Sequence, residues 1–429
     1  MQDWKVWIKD PVRMLQWFML CRHGGVLLSS VVIARLLPLS EVGVFEMLML
    51  CGYLLTFFWS EAMLKGFLAV EYESEWPHPG ISFFWLYIAI GILIMGFLVA
   101  GQSFLLPVLV DQKDLQGLLL FAFYQVFILP LWITPFIGLG RSGMLFPLAL
   151  FVLFGPALAS LAGLLFLPGL HGVLAGLLGY AILGIVCILV IHKPFRDLRI
   201  RALWSLMWPV TWPLMLYSLS TGLARSFDAW LVARYFDTTV FAVFRYGARE
   251  FPVVVAVAAG LSTAMIPRLR TMEALSELRV RSIRLMHLCY PGVMVLMLCS
   301  TPLFVAIYGP EFRNSAYIFN IYLLLTLTQL IFPQSVVLAR GGTRWLWYVS
   351  LAELTVNVVA SLLLLSYFGL VGIAWGTLVA FIFEKILLLI LVHKKYAIHF
   401  RDLMSFRIMM GYTFLLLLSF IVAAWIYGT

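Results

Sequence analysis

Apolar residues occur along the chain in long blocks that would make every face of a helix apolar. They do not alternate with polar residues, as in a strand, or recur on one helix face only. A helix needs about 20 such residues to cross a hydrocarbon core of about 30 Å. The pattern predicts an all-α, polytopic integral membrane protein with about 13 transmembrane helices. The thirteen blocks lie near residues 14–37, 43–69, 81–106, 116–139, 144–167, 171–192, 204–234, 240–265, 284–307, 316–339, 345–367, 370–392 and 407–427.

Composition excludes a soluble globule. Apolar residues make up 63% of the 429 residues and charged residues 11%, with a mean hydropathy of +1.02. A soluble domain has about 25% charged residues. This chain has less than half that fraction, which is too little to cover a water-facing surface. The five cysteines all lie in apolar blocks without paired spacing, so we expect small buried side chains and neither disulfides nor metal ligands.

The net charge of +9 is distributed unevenly between alternating connections. Nineteen Lys and Arg residues fall on one side and four on the other. Basic residues collect in cytoplasmic loops, so this asymmetry predicts a cytoplasmic N-terminus and an external C-terminus in the inner or plasma membrane. The same rule explains the basic charge without a nucleic-acid partner. The first block flows into the second without a cleavage site, which indicates a retained helix and not a signal peptide.

The chain also repeats itself at an offset of 199 to 200 residues. Six helices per repeat predict two lobes that enter the membrane the same way up, related by a pseudo-two-fold axis along the membrane normal. We expect lobes at 1–195 and 196–395 and an additional C-terminal transmembrane helix at 396–429. The matching segments are 34–45 with 233–244, Arg141 and Gly143 with Arg340 and Gly342, and 169–176 with 369–376.

Ionisable residues interrupt several spans, where they are costly and mark functional sites. Span seven carries a polar stripe through Thr211, Ser218, Thr221, Arg225 and Asp228, and span eleven another through Ser350, Glu353, Asn357 and Ser361. Such stripes also suit helix packing by hydrogen bonds, and Arg225 with Asp228 also suits a structural ion pair. Arg245 and Arg249 lie one turn apart, which predicts a shared face of span eight. For Arg22, Arg245 and Arg249 we expect no carboxylate on the same face to neutralise them.

One junction resembles a known family. The residues from Ala34 to Phe45, ARLLPLSEVGVF, are similar to the A-R-x-L-G-P-x-E-[FY]-G-x-[FY] pattern of Wzx-type polysaccharide flippases, with departures at Leu39 and Ser40. These proteins belong to the multidrug/oligosaccharidyl-lipid/polysaccharide exporter superfamily. The resemblance extends over residues 10–392 and implies a twelve-helix core. It includes three further segments, at 264–267, 307–312 and 369–377.

The resemblance implies a flippase that moves an anionic lipid-linked oligosaccharide, of the polyprenyl diphosphate type, to the outer leaflet for surface polysaccharide biosynthesis. Arginine suits phosphate because its planar fork donates two hydrogen bonds. The predicted cationic substrate cavity consists of Arg22, Arg225, Arg245 and Arg249. The candidates for coupling to protons or cations are Glu46, Glu61, Asp228, Glu250 and Glu353.

Further expectations concern cofactors and partners. The chain lacks a Walker motif and a metal-binding histidine pattern, so we expect no cofactor, no metal and no catalytic residue. Expected partners are the substrate, membrane lipids, and the polymerase and glycosyltransferases of the same pathway, with the chain itself a monomer. Two alternatives stay open. An organic-cation exporter of the same superfamily would need an acidic, aromatic cavity, and a membrane-embedded glycan polymerase or ligase would need a large external loop.

Overall fold

The computed structural model describes residues 11–71, 79–101, 115–135, 145–192, 199–266, 268–269 and 271–428. These residues form 17 α-helices and one 3-10 helix at Pro310–Phe312, and they contain no strand. The first helices are α1 (Pro11–Leu36), α2 (Leu39–Glu71), α3 (Pro79–Ala100), α4 (Leu115–Ile133), α5 (Leu145–Phe166) and α6 (Gly169–His192). They are followed by α7 (Ile200–Tyr235), α8 (Thr238–Gly247), α9 (Pro252–Met265), α10 (Met272–Ile307), α11 (Arg313–Leu324) and α12 (Thr326–Gln329). The chain ends with α13 (Pro333–Ala339), α14 (Thr343–Phe368), α15 (Leu370–Tyr396), α16 (Phe400–Leu403) and α17 (Phe406–Tyr427).

The all-α, multi-pass prediction is confirmed. Among the described residues nine helices are long and apolar enough to cross a membrane, and a tenth span forms if Pro310–Gln329 and Pro333–Ala339 count as one bent element. The three other predicted spans coincide with α1, α7 and the pair α8–α9. These three elements are not among the nine helices because α1 and α7 carry several charged residues, and because α8 and α9 are each too short to cross a membrane alone.

The chain divides into two compact units, Met1–Leu219 and Ser220–Thr429. In the first unit α1 packs on α5, α5 on α6, α6 on α4 and α4 on α3. Glycines permit the close α5–α6 approach, since a Cβ added at Gly176 would lie 1.9 Å from the Ala159 carbonyl oxygen. The predicted boundary at residue 195 lies outside the described residues. The predicted lobes and their symmetry axis stay predictions.

The second unit includes the thirteenth predicted span, α17, which packs on α10 and α11. Tyr427 donates a hydrogen bond of 2.8 Å to the Leu298 carbonyl, and the Tyr412 hydroxyl lies 2.6 Å from His287 Nδ1. Polar bonds therefore attach α17 at both of its ends. The helix is part of this unit and not an appendage to it.

The family-like junction has a direct structural role. Gly169 and Gly369, 200 residues apart, both adopt left-handed backbone conformations, with φ of 68° and 58°, at the starts of α6 and α15. In the first unit the Glu41 carboxylate accepts a hydrogen bond of 2.6 Å from the Leu170 amide. A carboxylate there satisfies a free donor and complements the helix dipole. The glutamate of the motif thus joins the start of α2 to the start of α6.

The predicted span at 240–265 consists of two helices and not one, because the helix breaks at residues 248–251. Pro252 begins α9; it has no amide hydrogen and disfavours helical geometry at the extended Phe251. At 1.5 Å per residue, the ten residues of α8 reach about 15 Å into the span, half of a 30 Å core. The break therefore falls inside the stretch 240–265 that the sequence predicts to span the membrane.

A second break separates α12 from α13, which begins at Pro333. The two broken elements meet in the second unit. Gln329 Nε2 donates a hydrogen bond of 2.8 Å to the Glu250 carboxylate, and the Ser262 and Ser335 hydroxyls lie 2.7 Å apart. Transporters commonly place substrates and coupling ions at discontinuous membrane helices.

Candidate substrate and ion-binding sites

Arg22 occupies the middle of α1 in the first unit. Its guanidinium carbon lies 4.9 Å from the centre of the Trp132 ring on α4, a cation–π contact. The charge of Glu61 on the neighbouring helix α2 acts on Arg22, and the expectation that no carboxylate on the same face neutralises this arginine stays a prediction. Glu61 also forms an ion pair of 2.9 Å with Lys65, one helical turn away. Two cations and one carboxylate leave this group with one net positive charge.

Arg249 lies in the break between α8 and α9 in the second unit. Its guanidinium carbon is 4.4 Å from the centre of the Tyr246 ring, and its amide donates to the Gly247 carbonyl at 2.8 Å. Tyr246 is 1% exposed and contacts the rings of Tyr308 and Phe312 at centroid distances of 4.9 and 4.5 Å. A buried aromatic cluster thus fixes the ring on which the cation rests.

The close packing of α8 explains where the break falls. A Cβ added at Gly247 would lie 2.5 Å from the Ser315 carbonyl oxygen and 2.7 Å from the Ile318 Cβ on α11. Arg245 belongs to the last turn of α8, whereas Arg249 follows the helix end. The predicted shared face of these two arginines is therefore wrong, because the helical repeat stops between them.

Asp228 is the centre of a buried polar network in the second unit. Its Oδ2 accepts hydrogen bonds from Tyr322 on α11, at 3.2 Å, and from Thr377 on α15. Asn357 on α14 also reaches this carboxylate, and its Oδ1 accepts a hydrogen bond of 2.8 Å from Ser361. Asp228 is 5% exposed, and its Oδ1 has no hydrogen-bond partner of normal geometry within the described part of the chain. Four helices therefore converge on one carboxylate.

Two other predicted acids border this network. Arg225 interacts electrostatically with both Glu250 and Glu353. The negative charges of Asp228 and Glu384 also act on Glu353. Glu384 in turn lies 3.5 Å from the Lys385 ammonium. The ion pair of Arg225 with Asp228 that the spacing allows does not form among the described residues. The Asp228 carboxylate instead accepts hydrogen bonds from the hydroxyls of Tyr322 on α11 and Thr377 on α15. Arg225 therefore interacts with acidic residues, and its role in the substrate cavity stays a prediction.

The two remaining acidic candidates belong to the first unit. Glu46 is buried in α2, at 7% exposure, while Glu61 is exposed and paired with Lys65. The structure thus brings together three of the five predicted acids, Asp228, Glu250 and Glu353. Sequence reasoning missed Tyr322, Gln329 and Thr377, since a lone hydroxyl or amide in an apolar span has no periodic partner. Only the position of Thr377 beside the repeated Gly376 offered a signal.

Comparison with known proteins identifies the fold. No family profile and no curated protein sequence matches the chain. Among solved structures, the lipid II flippase MurJ in its inward closed conformation matches with a TM-score of 0.72 and 15% identity, covering 97% of this chain and 98% of that one. A multidrug resistance MATE family transporter of the MOP superfamily matches in its inward-facing conformation, with a TM-score of 0.67, 13% identity and coverage of 90% and 98%. Its outward-facing conformation matches with a TM-score of 0.60, 14% identity and coverage of 90% and 96%. The chain is therefore a multi-pass membrane protein with the fold that MurJ and MATE transporters share.

Proposed function

We propose that this protein is a flippase that carries an anionic lipid-linked oligosaccharide, of the polyprenyl diphosphate type, from the cytoplasmic to the outer leaflet by alternating access. The observation that carries the proposal is a pair of arginines at membrane depth, one in each unit, each resting on an aromatic ring. Arg22 lies over Trp132 at 4.9 Å and Arg249 over Tyr246 at 4.4 Å.

The ring contact suits phosphate binding for a geometric reason. A cation–π contact uses the face of the guanidinium, whereas its N–H donors point outward in the plane of the group. An arginine held in this way presents a fixed fork that matches two phosphate oxygens. A charged head also needs such partners to enter an apolar core, because an unpaired charge there is very costly.

The fold supports the same proposal, because one protein that shares it is named a lipid II flippase. We place the product in surface polysaccharide biosynthesis, following the resemblance at residues 34–45. The protein would then act as a monomer in the inner membrane, with its N-terminus in the cytoplasm, between the glycosyltransferases that build the substrate and a polymerase that consumes it. No step of this transport makes or breaks a covalent bond, so the protein is not proposed as an enzyme.

The acidic network is proposed to couple transport to an ion gradient. Asp228 presents a buried carboxylate oxygen without a normal hydrogen-bond partner among the described residues, and Glu250 bridges the two helix breaks through Gln329. Either carboxylate suits a proton or a monovalent cation. An inside-negative potential contributes about 2.3 kcal/mol per charge per 100 mV and also favours outward movement of an anion.

An ion-coupled exporter of organic cations is the second candidate. The acidic network of Asp228, Glu250 and Glu353 favours it, as does the similarity to a MATE family transporter. Arg22 and Arg249 count against it, because a cationic substrate gains nothing from an arginine. Charge reversal at the arginines separates the two candidates, since it harms the carriage of an anion and not of a cation.

The test is export of labelled surface glycan in cells that depend on this protein, with the membrane level of each variant measured in parallel. Arg22→Ala and Arg249→Ala each remove charge-assisted hydrogen bonds of roughly 1.5–3 kcal/mol and should reduce export by one to two decades. The Lys variants should recover part of it and the Glu variants none. Arg281→Ala is the matched control, because Arg281 pairs with Glu277 at 2.5 Å in α10 and should tolerate the change. Normal export from both Glu variants would refute the proposal.

A further inference from the structure

A cluster of cationic and aromatic side chains covers the end of the second unit at which α14 begins and α15 ends. We call it the basic–aromatic site and define it by Arg340, Arg344, Trp345, Tyr348, Lys395 and Tyr396. Arg340 directly follows α13, while Arg344, Trp345 and Tyr348 lie in the first two turns of α14. Lys395 and Tyr396 end α15. None of these residues belongs to the arginine pair or to the acidic network.

Each cation of the site rests on a ring. Lys395 Nζ lies 4.7 Å from the Trp345 ring centre and 5.6 Å from that of Tyr396. The guanidinium carbon of Arg340 lies 5.5 Å from the Tyr396 ring, and that of Arg344 lies 5.7 Å from the Tyr348 ring. Trp345 and Tyr348 are 42% and 41% exposed. The rings hold three cations side by side at an open surface.

Two hydrogen-bond donors at the same place are buried without an acceptor. Arg340 Nε and the Tyr396 hydroxyl are both shielded from water and lack a hydrogen-bond partner within the described ranges. A Cβ added at Gly342 would lie 2.5 Å from the Tyr396 hydroxyl, which places this group against the first turn of α14. No side chain caps α14 at Gly342. These two donors are therefore enclosed by protein where α13, the start of α14 and the end of α15 meet.

The chemistry of these groups selects an anion. In the part of the chain that the structure describes, no carboxylate pairs with Arg340, Arg344 or Lys395. The nearby Asp402 accepts instead from the backbone amide of His399, at 2.8 Å. Exposed Trp and Tyr beside Lys and Arg are typical of the depth at which lipid headgroups lie. A phosphodiester group at this surface would reach the stacked cations, whereas the two enclosed donors stay covered by protein.

We infer that the basic–aromatic site binds the phosphodiester headgroup of an anionic phospholipid. The lipid binds through the charged ends of Arg340, Arg344 and Lys395, while Trp345 and Tyr348 lie among its glycerol and upper acyl groups. The inference does not depend on which substrate the protein carries.

The full-length protein in a neutral detergent provides the test. Binding of phosphatidylglycerol, phosphatidylcholine and inorganic phosphate is measured by native mass spectrometry and by the shift in melting temperature. Phosphatidylglycerol should bind and phosphatidylcholine should not. Arg340→Gln and Lys395→Gln should each weaken phosphatidylglycerol binding about fivefold, the contribution of one cation near an anionic surface. Tyr396→Phe keeps the ring beside Arg340 and Lys395 and removes only the enclosed hydroxyl, so it should leave phosphatidylglycerol binding unchanged.

Lys394→Gln and Arg401→Gln are the matched controls, because both residues are exposed at the same end and outside the site. They should leave the affinity unchanged. If they weaken binding as much as Lys395→Gln does, the lipid is attracted by the total positive charge of this end of the protein, and the specific site is refuted. Equal binding of phosphatidylcholine refutes it as well. If inorganic phosphate displaces phosphatidylglycerol at equal concentration, the basic–aromatic site binds a free anion and the lipid proposal is refuted.

Discussion

Replacing Tyr246 by Leu should weaken transport although the tyrosine is buried and need not touch the substrate. The Tyr246 ring lies 4.4 Å from the guanidinium carbon of Arg249, so the leucine variant loses the cation–π contact that helps to orient this arginine. Such contacts contribute about 0.5–1 kcal/mol at exposed sites and about 2 kcal/mol when desolvated. Arg249 is half-buried, so we expect about 1–2 kcal/mol, which corresponds to a fivefold to thirtyfold loss.

Two companion variants separate positioning from packing. Tyr246→Phe keeps the ring below Arg249 and should keep most of the export. Tyr308→Leu removes a ring that contacts Tyr246 at 4.9 Å, and it should lower stability with little effect on export per folded molecule. The assay is glycan export normalised to the membrane level of each variant, together with the melting temperature of the purified protein.

The reasoning fails if Tyr246→Leu exports normally at a normal protein level. It also fails if Tyr246→Leu and Tyr308→Leu lose export in proportion to the same loss of melting temperature. That result would make Tyr246 a packing residue and would leave the orientation of Arg249 to other contacts.

Three further predictions concern stability, coupling and topology. Glu41→Ala should lower the free energy of unfolding by about 1–2 kcal/mol, because the Leu170 amide loses its charged acceptor at 2.6 Å; an unchanged denaturation midpoint would contradict this. Asp228→Asn keeps an acceptor for its neighbours but removes the charge, so export should no longer respond to an imposed proton or sodium gradient. A response equal to that of the wild type would exclude Asp228 from coupling. Asn314→Cys should react with a membrane-impermeant maleimide added outside intact cells and Ser276→Cys should not, and the reverse labelling would invert the predicted orientation.

The helices could be predicted from sequence because partitioning into a bilayer is a local property. An apolar block must satisfy its backbone groups within itself, so length and composition alone indicate a helix. The repeated glycines at 169 and 369 could also be recognised from sequence, since the positive φ that both adopt suits a residue without a Cβ. The ionisable residues within the spans could be named, but not their partners.

The helix breaks show why sequence was insufficient. Pro209 and Pro213 lie inside α7 and leave it continuous, whereas Pro252 begins a new helix after a break. The residue type is the same, and the local rule cannot distinguish the cases. The difference lies in tertiary contacts, since the Glu250 carboxylate accepts from Gln329 and Gly247 packs against α11, and both hold the chain out of the helical path.

The sequence by itself determined that the chain is helical, that it spans a membrane many times, and which few charges lie within the apolar spans. Tertiary structure decided what those charges do. Arg22 and Arg249 rest on aromatic rings from Trp132 and Tyr246, and Asp228 collects donors from α11 and α15. The physical reason is range: partitioning acts on each segment independently, whereas a hydrogen bond or a cation–π contact needs two groups within a few ångströms, and only packing brings distant segments that close.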